Sequence, residues 1–235
     1  MKVVVLGGYG SIGHAVAKAC LDRGDTVEIW DRRHATQTLK GVDLFIHCAG
    51  MKFVDQCETD PEACVRDNLL TTWLAVGMAK VAGVPHFVFL STDKACQPVT
   101  LMGMAKRLSE AMVVKAGYAA VRLVNVVETR GNVFELWEKQ EAAGQPLTVT
   151  DRRMRRYFMT IQDAVTSILK VSGMSPGLYS YQPESDISIW ALAEDRKNPA
   201  GVIETVPRPG DKLTENLSGG ENWEHQGGCL YREVS

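Results

Sequence analysis

Apolar residues follow two periods along this chain. Short runs that are apolar at nearly every position, Lys2–Leu6, Thr26–Trp30, Val42–His47, His86–Leu90 and Tyr118–Val124, read as strands, most of them buried on both faces. Between them lie stretches with apolar residues every three or four positions: Ala15–Leu21, Pro61–Ala82, Met102–Ala116 and, further on, Ile161–Val171. These read as helices, and in the second of them Val65, Leu69, Trp73 and Val76 form one stripe. Pro61 suits the start of that helix, and Gly83-Val84-Pro85 suits its end. Alternating strands and helices predict an α/β fold with a parallel sheet. Beyond residue 172 the pattern thins. Leu178–Tyr181 and Val202–Val206 read as small strands flanking a helix, Ile187–Glu194, and the Gly-rich polar stretch Asn216–Ser235 reads as partly mobile.

The first strand runs directly into Gly7-Gly8-Tyr9-Gly10-Ser11-Ile12-Gly13 and then into a helix. Glycines at 7, 10 and 13 permit a tight turn and let the backbone approach a pyrophosphate, with Ser11 and Ile12 at the free N–H groups of the helix start. This is a dinucleotide-binding arrangement, and it makes the expected sheet Rossmann-like and doubly wound. Asp31, at the end of the second strand, stands where a carboxylate accepts an adenosine ribose hydroxyl and favours NAD. Arg32 and Arg33 beside it suit the extra phosphate of NADP, so the cofactor is NAD or NADP with the carboxylate leaning towards NAD. The expected division is a dinucleotide-binding part, 1–130, onto which the helix 161–172 packs back, and a small substrate-binding part, 131–235.

Composition narrows the partners. A net charge of −2 with scattered basic residues gives no reason to expect nucleic acid. No apolar run approaches the ~20 residues that span a bilayer, so no membrane partner is expected. Met1-Lys2 leads straight into a strand, which leaves no room for a signal peptide. Six cysteines without a C-x-x-C pair read as reduced thiols in a cytoplasmic protein, and five histidines without ligand spacing give no metal site.

The densest chemistry follows the strand His86–Leu90. Ser91-Thr92-Asp93-Lys94-Ala95 stands at its carboxyl end, where open α/β sheets bind ligands, and supplies a hydroxyl, a candidate acid and a candidate base side by side. Pro98 suits a helix start, and Met102 and Lys106 then share one helix face. Ser-Thr-Asp-Lys-Ala, Pro98, Met102-Gly103 and Lys106-Arg107 at these offsets resemble the nucleotide-sugar 4,6-dehydratases of polysaccharide biosynthesis, within the extended short-chain dehydrogenase/reductase superfamily. Val121–Val133, Gly144–Asp151, Met154–Thr160 and Arg208-Pro209-Gly210-Asp211-Lys212-Leu213 resemble further segments of that family. The chain departs from it in the short spacer between Arg33 and Val42, which leaves the sheet about one strand short.

The resemblance implies an enzyme that dehydrates a nucleotide sugar, UDP-N-acetylglucosamine being the expected substrate, and that forms homo-oligomers through the helices Pro61–Ala82 and Met102–Ala116. It implies Lys94 as base at sugar C5, Asp93 as acid for the C6 hydroxyl, and Thr92 as partner of the C4 oxygen. Lys106 would hold the nicotinamide ribose. Met102 stands where most relatives carry tyrosine; its thioether takes no proton, but methionine occurs there in one branch of the family. Ala49 and Gly50 would flank the nicotinamide, Asn68 would shape the site's backbone, and Lys52, Asn125, Arg130, Arg156 and Arg208 would contact the substrate. Two other readings remain open from the residues: a UDP-sugar 4-epimerase, and a non-catalytic dinucleotide-binding module.

Overall fold

In the computed structural model, which describes residues 1–31, 37–207 and 210–234, eight strands form one sheet. They are β1 (Lys2–Leu6), β2 (Thr26–Trp30), β3 (Leu44–His47), β4 (His86–Thr92), β5 (Ala119–Leu123), β6 (Gly177–Tyr181), β7 (Asn222–His225) and β8 (Leu230–Val234). The spatial order is β7-β8-β6-β5-β4-β3-β1-β2, parallel from β2 to β6 and antiparallel in the last two pairs. Successive side chains point to opposite faces. Val3, Val5, Ile46 and Val121 therefore meet the helices Ser11–Asp22 and Ile161–Ser172, while Val4, Phe45, Phe87 and Phe89 meet the helix Thr71–Ala82. Helices on both faces explain why these strands are apolar throughout.

Among the described residues β2 pairs with β1 alone, so the sheet ends there, as the short spacer implied. The opposite end differs from expectation. Gly177–Tyr181 is not a small strand of the C-terminal part but a full member of the main sheet, and the supposedly mobile tail supplies the hairpin β7–β8. A buried ion pair that no local pattern announces ties the hairpin to the sheet. Glu110, fully buried on the helix Leu101–Lys115, accepts from Arg122 on β5 at 2.9 Å through each carboxylate oxygen and from Ser91 at 2.6 Å. Arg122 also reaches Glu221 at 2.9 Å, just ahead of β7, and its guanidinium lies 5.7 Å from the Trp223 ring centroid. Burial weakens the Arg122 cation, but its bonds to Glu110 and Glu221 outweigh that and raise its pKa.

Two helices also depart from their sequence patterns. The helix at Pro61, capped by the Asp60 carboxylate, widens into a π turn over Val65–Leu70 before continuing as Thr71–Ala82. The expected stripe is not the buried face: Val76 is buried with Thr72, Ala75 and Ala79, while Val65 and Trp73 are exposed. The helix expected from Pro98 begins instead at Leu101, because the Thr100 hydroxyl caps it by accepting from Gly103 N at 3.1 Å.

Residues after β5 build a smaller cluster around Trp137, Leu147, Val149, Met154, Ile189 and Ala193. Short strands around it form separate two-stranded sheets: Asn125–Val126 pairs with Phe158–Met159, and Arg155–Arg156 pairs with Ile187–Ser188.

Arg122→Met leaves the Glu110 carboxylate buried without its guanidinium. The expected loss is about 3–5 kcal/mol, read as a lower urea midpoint, with protease cleavage appearing first near 221–234.

Candidate functional site

The carboxyl ends of β1, β3, β4 and β5 open onto one cleft of about 820 Å³. On its β1 side Gly7 has φ +85°, and a side chain there would stand 2.5 Å from the Ala49 nitrogen. A side chain on Gly13 would lie 2.4 Å from the Gly7 carbonyl oxygen. Gly10 donates to that same oxygen at 3.0 Å. Strand, turn and the start of the helix Ser11–Asp22 are thus in backbone contact, leaving a cradle of peptide groups that suits an anion. Ser11, Ile12, Asp31, Ala49 and Gly50 also line the cleft. Among the described residues this cradle is where a dinucleotide pyrophosphate fits. Arg32, Arg33 and Arg208 lie outside the described residues.

The middle of the cleft belongs to the end of β4. Thr92, Asp93, Lys94, Met102 and Lys106 all line it, so the five residues read as catalytic do converge. Asp93 is only 2% exposed; its Oδ1 accepts from the Thr92 hydroxyl at 2.9 Å and from Lys94 Nζ at 3.1 Å, while Oδ2 is buried with no hydrogen bond. A second carboxylate, which the sequence reading missed, lies on the other side of Lys94. This is Glu215, 5% exposed, with Oε1 3.6 Å from Lys94 Nζ. Burial disfavours the Lys94 ammonium, but Asp93 and Glu215 together outweigh it and raise the pKa. A depressed value, which a free-standing base requires, is therefore not what this arrangement supplies.

Lys106 has the opposite environment. Its Nζ donates to the Leu90 carbonyl at 3.0 Å and sits 4.6 Å from the Phe89 ring centroid. Burial pushes its pKa down to about 8. Beneath it, Asn68 does not reach the cleft wall. Within the π turn its main-chain oxygen accepts from Thr72 at 2.7 Å and Ser109 at 3.2 Å, and its amide nitrogen faces the sulfurs of Cys57 and Cys64. Asn68 thereby ties the helix Leu101–Lys115 to the floor of the site. Its Oδ1 is buried without a partner and lies 2.6 Å from where a Gly50 side chain would begin, so Gly50 is required there. Met102 packs with Cys57, Cys64 and Ala105, one edge towards the cleft.

The residues expected to hold substrate divide. Asn125 lines the cleft and donates to the Tyr157 carbonyl at 2.8 Å. Arg130 belongs with the glycine turn: its guanidinium donates to the Tyr9 carbonyl at 3.0 Å and its main-chain nitrogen to the Ser11 hydroxyl at 3.2 Å. Lys52 donates to the Arg130 carbonyl, completing a bridge over the cradle. Arg156 is buried off the cleft wall, bonded to the Arg155 and Leu213 carbonyls, close enough to Lys94 for their charges to interact. Glu215 was detectable only as an acid two positions beyond the Arg208–Leu213 segment. Tyr9 lay inside the glycine motif, but its contact with Arg130 runs through the main-chain carbonyl, which no side-chain type announces.

With that geometry in view, the comparisons with known proteins are specific. The family model described as polysaccharide biosynthesis protein matches residues 23–227. This chain belongs to that family. It is 31% identical to the capsular polysaccharide biosynthesis protein CapD of Staphylococcus aureus over 92% of this chain and 40% of CapD. To the probable polysaccharide biosynthesis protein EpsC of Bacillus subtilis it is 33% identical over 89% of this chain and 38% of EpsC. The chain thus spans about two fifths of these relatives' length. A UDP-N-acetylglucosamine 4,6-dehydratase (inverting) of Campylobacter jejuni is 32% identical over 60% of this chain and 46% of its own. Among solved structures, Pen from Bacillus thuringiensis superposes with a TM-score of 0.85 at 24% identity, covering 92% of this chain and 83% of its own. The match establishes the Rossmann-like fold.

Two measurements check this geometry. Gly7→Ala places a methyl group against Ala49, so calorimetry should detect no dinucleotide binding, and the melting temperature should fall. Lys106 should acylate with a midpoint near pH 8, against about 10.4 for an unperturbed lysine, read by peptide mass spectrometry across pH.

Proposed function

We propose that this chain is an NAD(P)-dependent nucleotide-sugar 4,6-dehydratase acting on UDP-N-acetylglucosamine in polysaccharide biosynthesis. The observation that carries the reading is the contact of Asp93 with Lys94 at 3.1 Å, in the cleft that also holds the glycine cradle and Lys106. Gly7, Gly10, Ser11, Gly13 and Asp31 would hold the dinucleotide, which when bound supplies a hydride acceptor and donor. The Asp31 carboxylate favours NAD.

The chain's own residues account for the proton chemistry. Oxidation at C4 makes the neighbouring C5 proton acidic, and a base and an acid are then needed on adjacent carbons. In the resting ion pair both groups are in the wrong form for this. Transfer of one proton from the Lys94 ammonium to the Asp93 carboxylate converts both at once, giving a neutral amine and a carboxylic acid with no net change. Excluding water from the cleft favours this neutral pair, because burial penalises charge. Lys94 then removes the C5 proton, Asp93 protonates the C6 oxygen, and water leaves. The proton released earlier from the C4 hydroxyl needs a separate acceptor, since Met102 has none to offer. An amine pushed down to about 8, Lys106, suits that role.

The relative from Rickettsia bellii named UDP-glucose 4-epimerase, 30% identical over 72% of this chain, supports a second reading in which only C4 reacts. An epimerase has no use for an acid–base pair aimed at C5 and C6, so the Asp93–Lys94 contact favours dehydration. Buried thiols suit the cytoplasm. Exposed Leu70, Trp73, Leu74, Met104 and Leu108 on two adjacent helices suit burial against a second copy. No helix among the described residues is long and apolar enough to cross a membrane.

Incubation with UDP-N-acetylglucosamine and NAD should yield a product lighter by one water. Lys94→Met should lower the rate roughly 100-fold or more while leaving dinucleotide affinity unchanged. A product of unchanged mass epimerised at C4 would establish the second reading instead.

A further inference from the structure

The segment 210–217 reaches the site from far along the chain and is fastened to the turn that carries Asp93 and Lys94. Lys212 Nζ donates to the carbonyls of Cys96 at 3.1 Å and Gln97 at 2.9 Å, and the Asn216 amide donates to Gln97 Oε1 at 3.1 Å. Gln97 itself takes the left-handed conformation, φ 46°, to present its carbonyl. These contacts deliver the Glu215 carboxylate into the interior. There it lies between two ammonium groups, 3.6 Å from Lys94 and 3.5 Å from Lys212, and its Oε2 accepts no hydrogen bond.

A carboxylate held this way is a poor structural brace. Burial of a charge is compensated only by short, well-directed hydrogen bonds, and these ion pairs are long. The arrangement does solve the problem that the proposed reaction creates at Lys94. Once Lys94 has taken the C5 proton it is a half-buried ammonium, and until Asp93 passes its own proton to the C6 oxygen that group offers no charge. On the reading of the site as a dehydratase, we propose that Glu215 is the positioning residue that keeps the Lys94 ammonium paired while Asp93 is in its acid form. The same division operates where a buried carboxylate stabilises a histidine that has just accepted a proton. The charged groups facing Lys94 are Asp93 on its own turn, Glu215 and Lys212 on the fastened segment, and Arg156 on the short strand Arg155–Arg156. Arg156 opposes the ammonium, so the two carboxylates carry the pairing alone.

The test measures Lys94 acylation against pH in this chain, by peptide mass spectrometry, alongside turnover. Glu215→Gln keeps the shape and removes the charge. The Lys94 midpoint should move to lower pH, with labelling at pH 9 roughly tenfold faster, and kcat should fall roughly 10- to 100-fold with KM changed less than about threefold. Glu215→Asp keeps the charge and should return the midpoint most of the way; it also carries the test if Glu215→Gln fails to fold. A loosened structure would raise the labelling plateau without moving the midpoint. An unmoved midpoint in Glu215→Gln overturns the proposal. A moved midpoint in a chain whose wild type releases no water supports the pairing and overturns the dehydratase reading instead.

Discussion

A single buried carboxylate sets the geometry of this molecule. Glu110 has no contact with solvent and receives Ser91 from the end of β4, Arg122 from β5 and, at 3.3 Å, Arg107 from its own helix. Such a group tolerates few rearrangements, because losing any donor leaves a charge in a low-dielectric interior. Ser91 is the residue before Thr92, so the turn that carries Asp93 and Lys94 inherits its position from this interaction. Through Arg122 and Glu221 the same network holds the last hairpin against the sheet. The site and the C-terminal strands are consequently parts of one electrostatic unit.

Lys94 and Lys106 show how one residue type is given two characters within a single cleft. Lys106 is buried and Lys94 half-buried, and burial alone disfavours an ammonium. Lys94 has two carboxylates to overcome it and stays charged; Lys106 has a carbonyl and an aromatic face and drifts towards the neutral amine. The proposed chemistry uses that difference, with one amine exchanging its proton inside a pair and the other near its own titration point.

Much of this was legible in the sequence where the cause is local. The strands β1–β5 follow from apolar runs, the glycine turn from the spacing at 7, 10 and 13, and the convergence of Thr92, Asp93, Lys94, Met102 and Lys106 from a strand end followed by helical spacing. What escaped depends on contacts between distant residues. The hairpin β7–β8 has weak strand character and depends on Glu221 meeting Arg122, 99 positions away. Glu215 is an unremarked acid until Lys212 and Asn216 fasten its segment to Gln97. Arg130 lines the cleft as expected of a substrate contact, but its bonds to Tyr9 and Ser11 depend on the return of a distant loop and were not legible. The stripe through Val65 and Trp73 misled because the face that packs on the sheet is set by the small residues Thr72, Ala75 and Ala79 with Val76, and leaves the large Trp73 outside.

That wide turn makes chain length, more than side-chain identity, the guarded quantity between Val65 and Leu70. It contains one surplus residue relative to a regular helix, and within it the Asn68 carbonyl accepts from Thr72 and Ser109. Excising any one residue there would let the backbone close into ordinary α-helix and swing everything upstream by about 100° about the axis. Conservative exchanges in this stretch leave the floor of the cleft standing, whereas a one-codon deletion dismantles it.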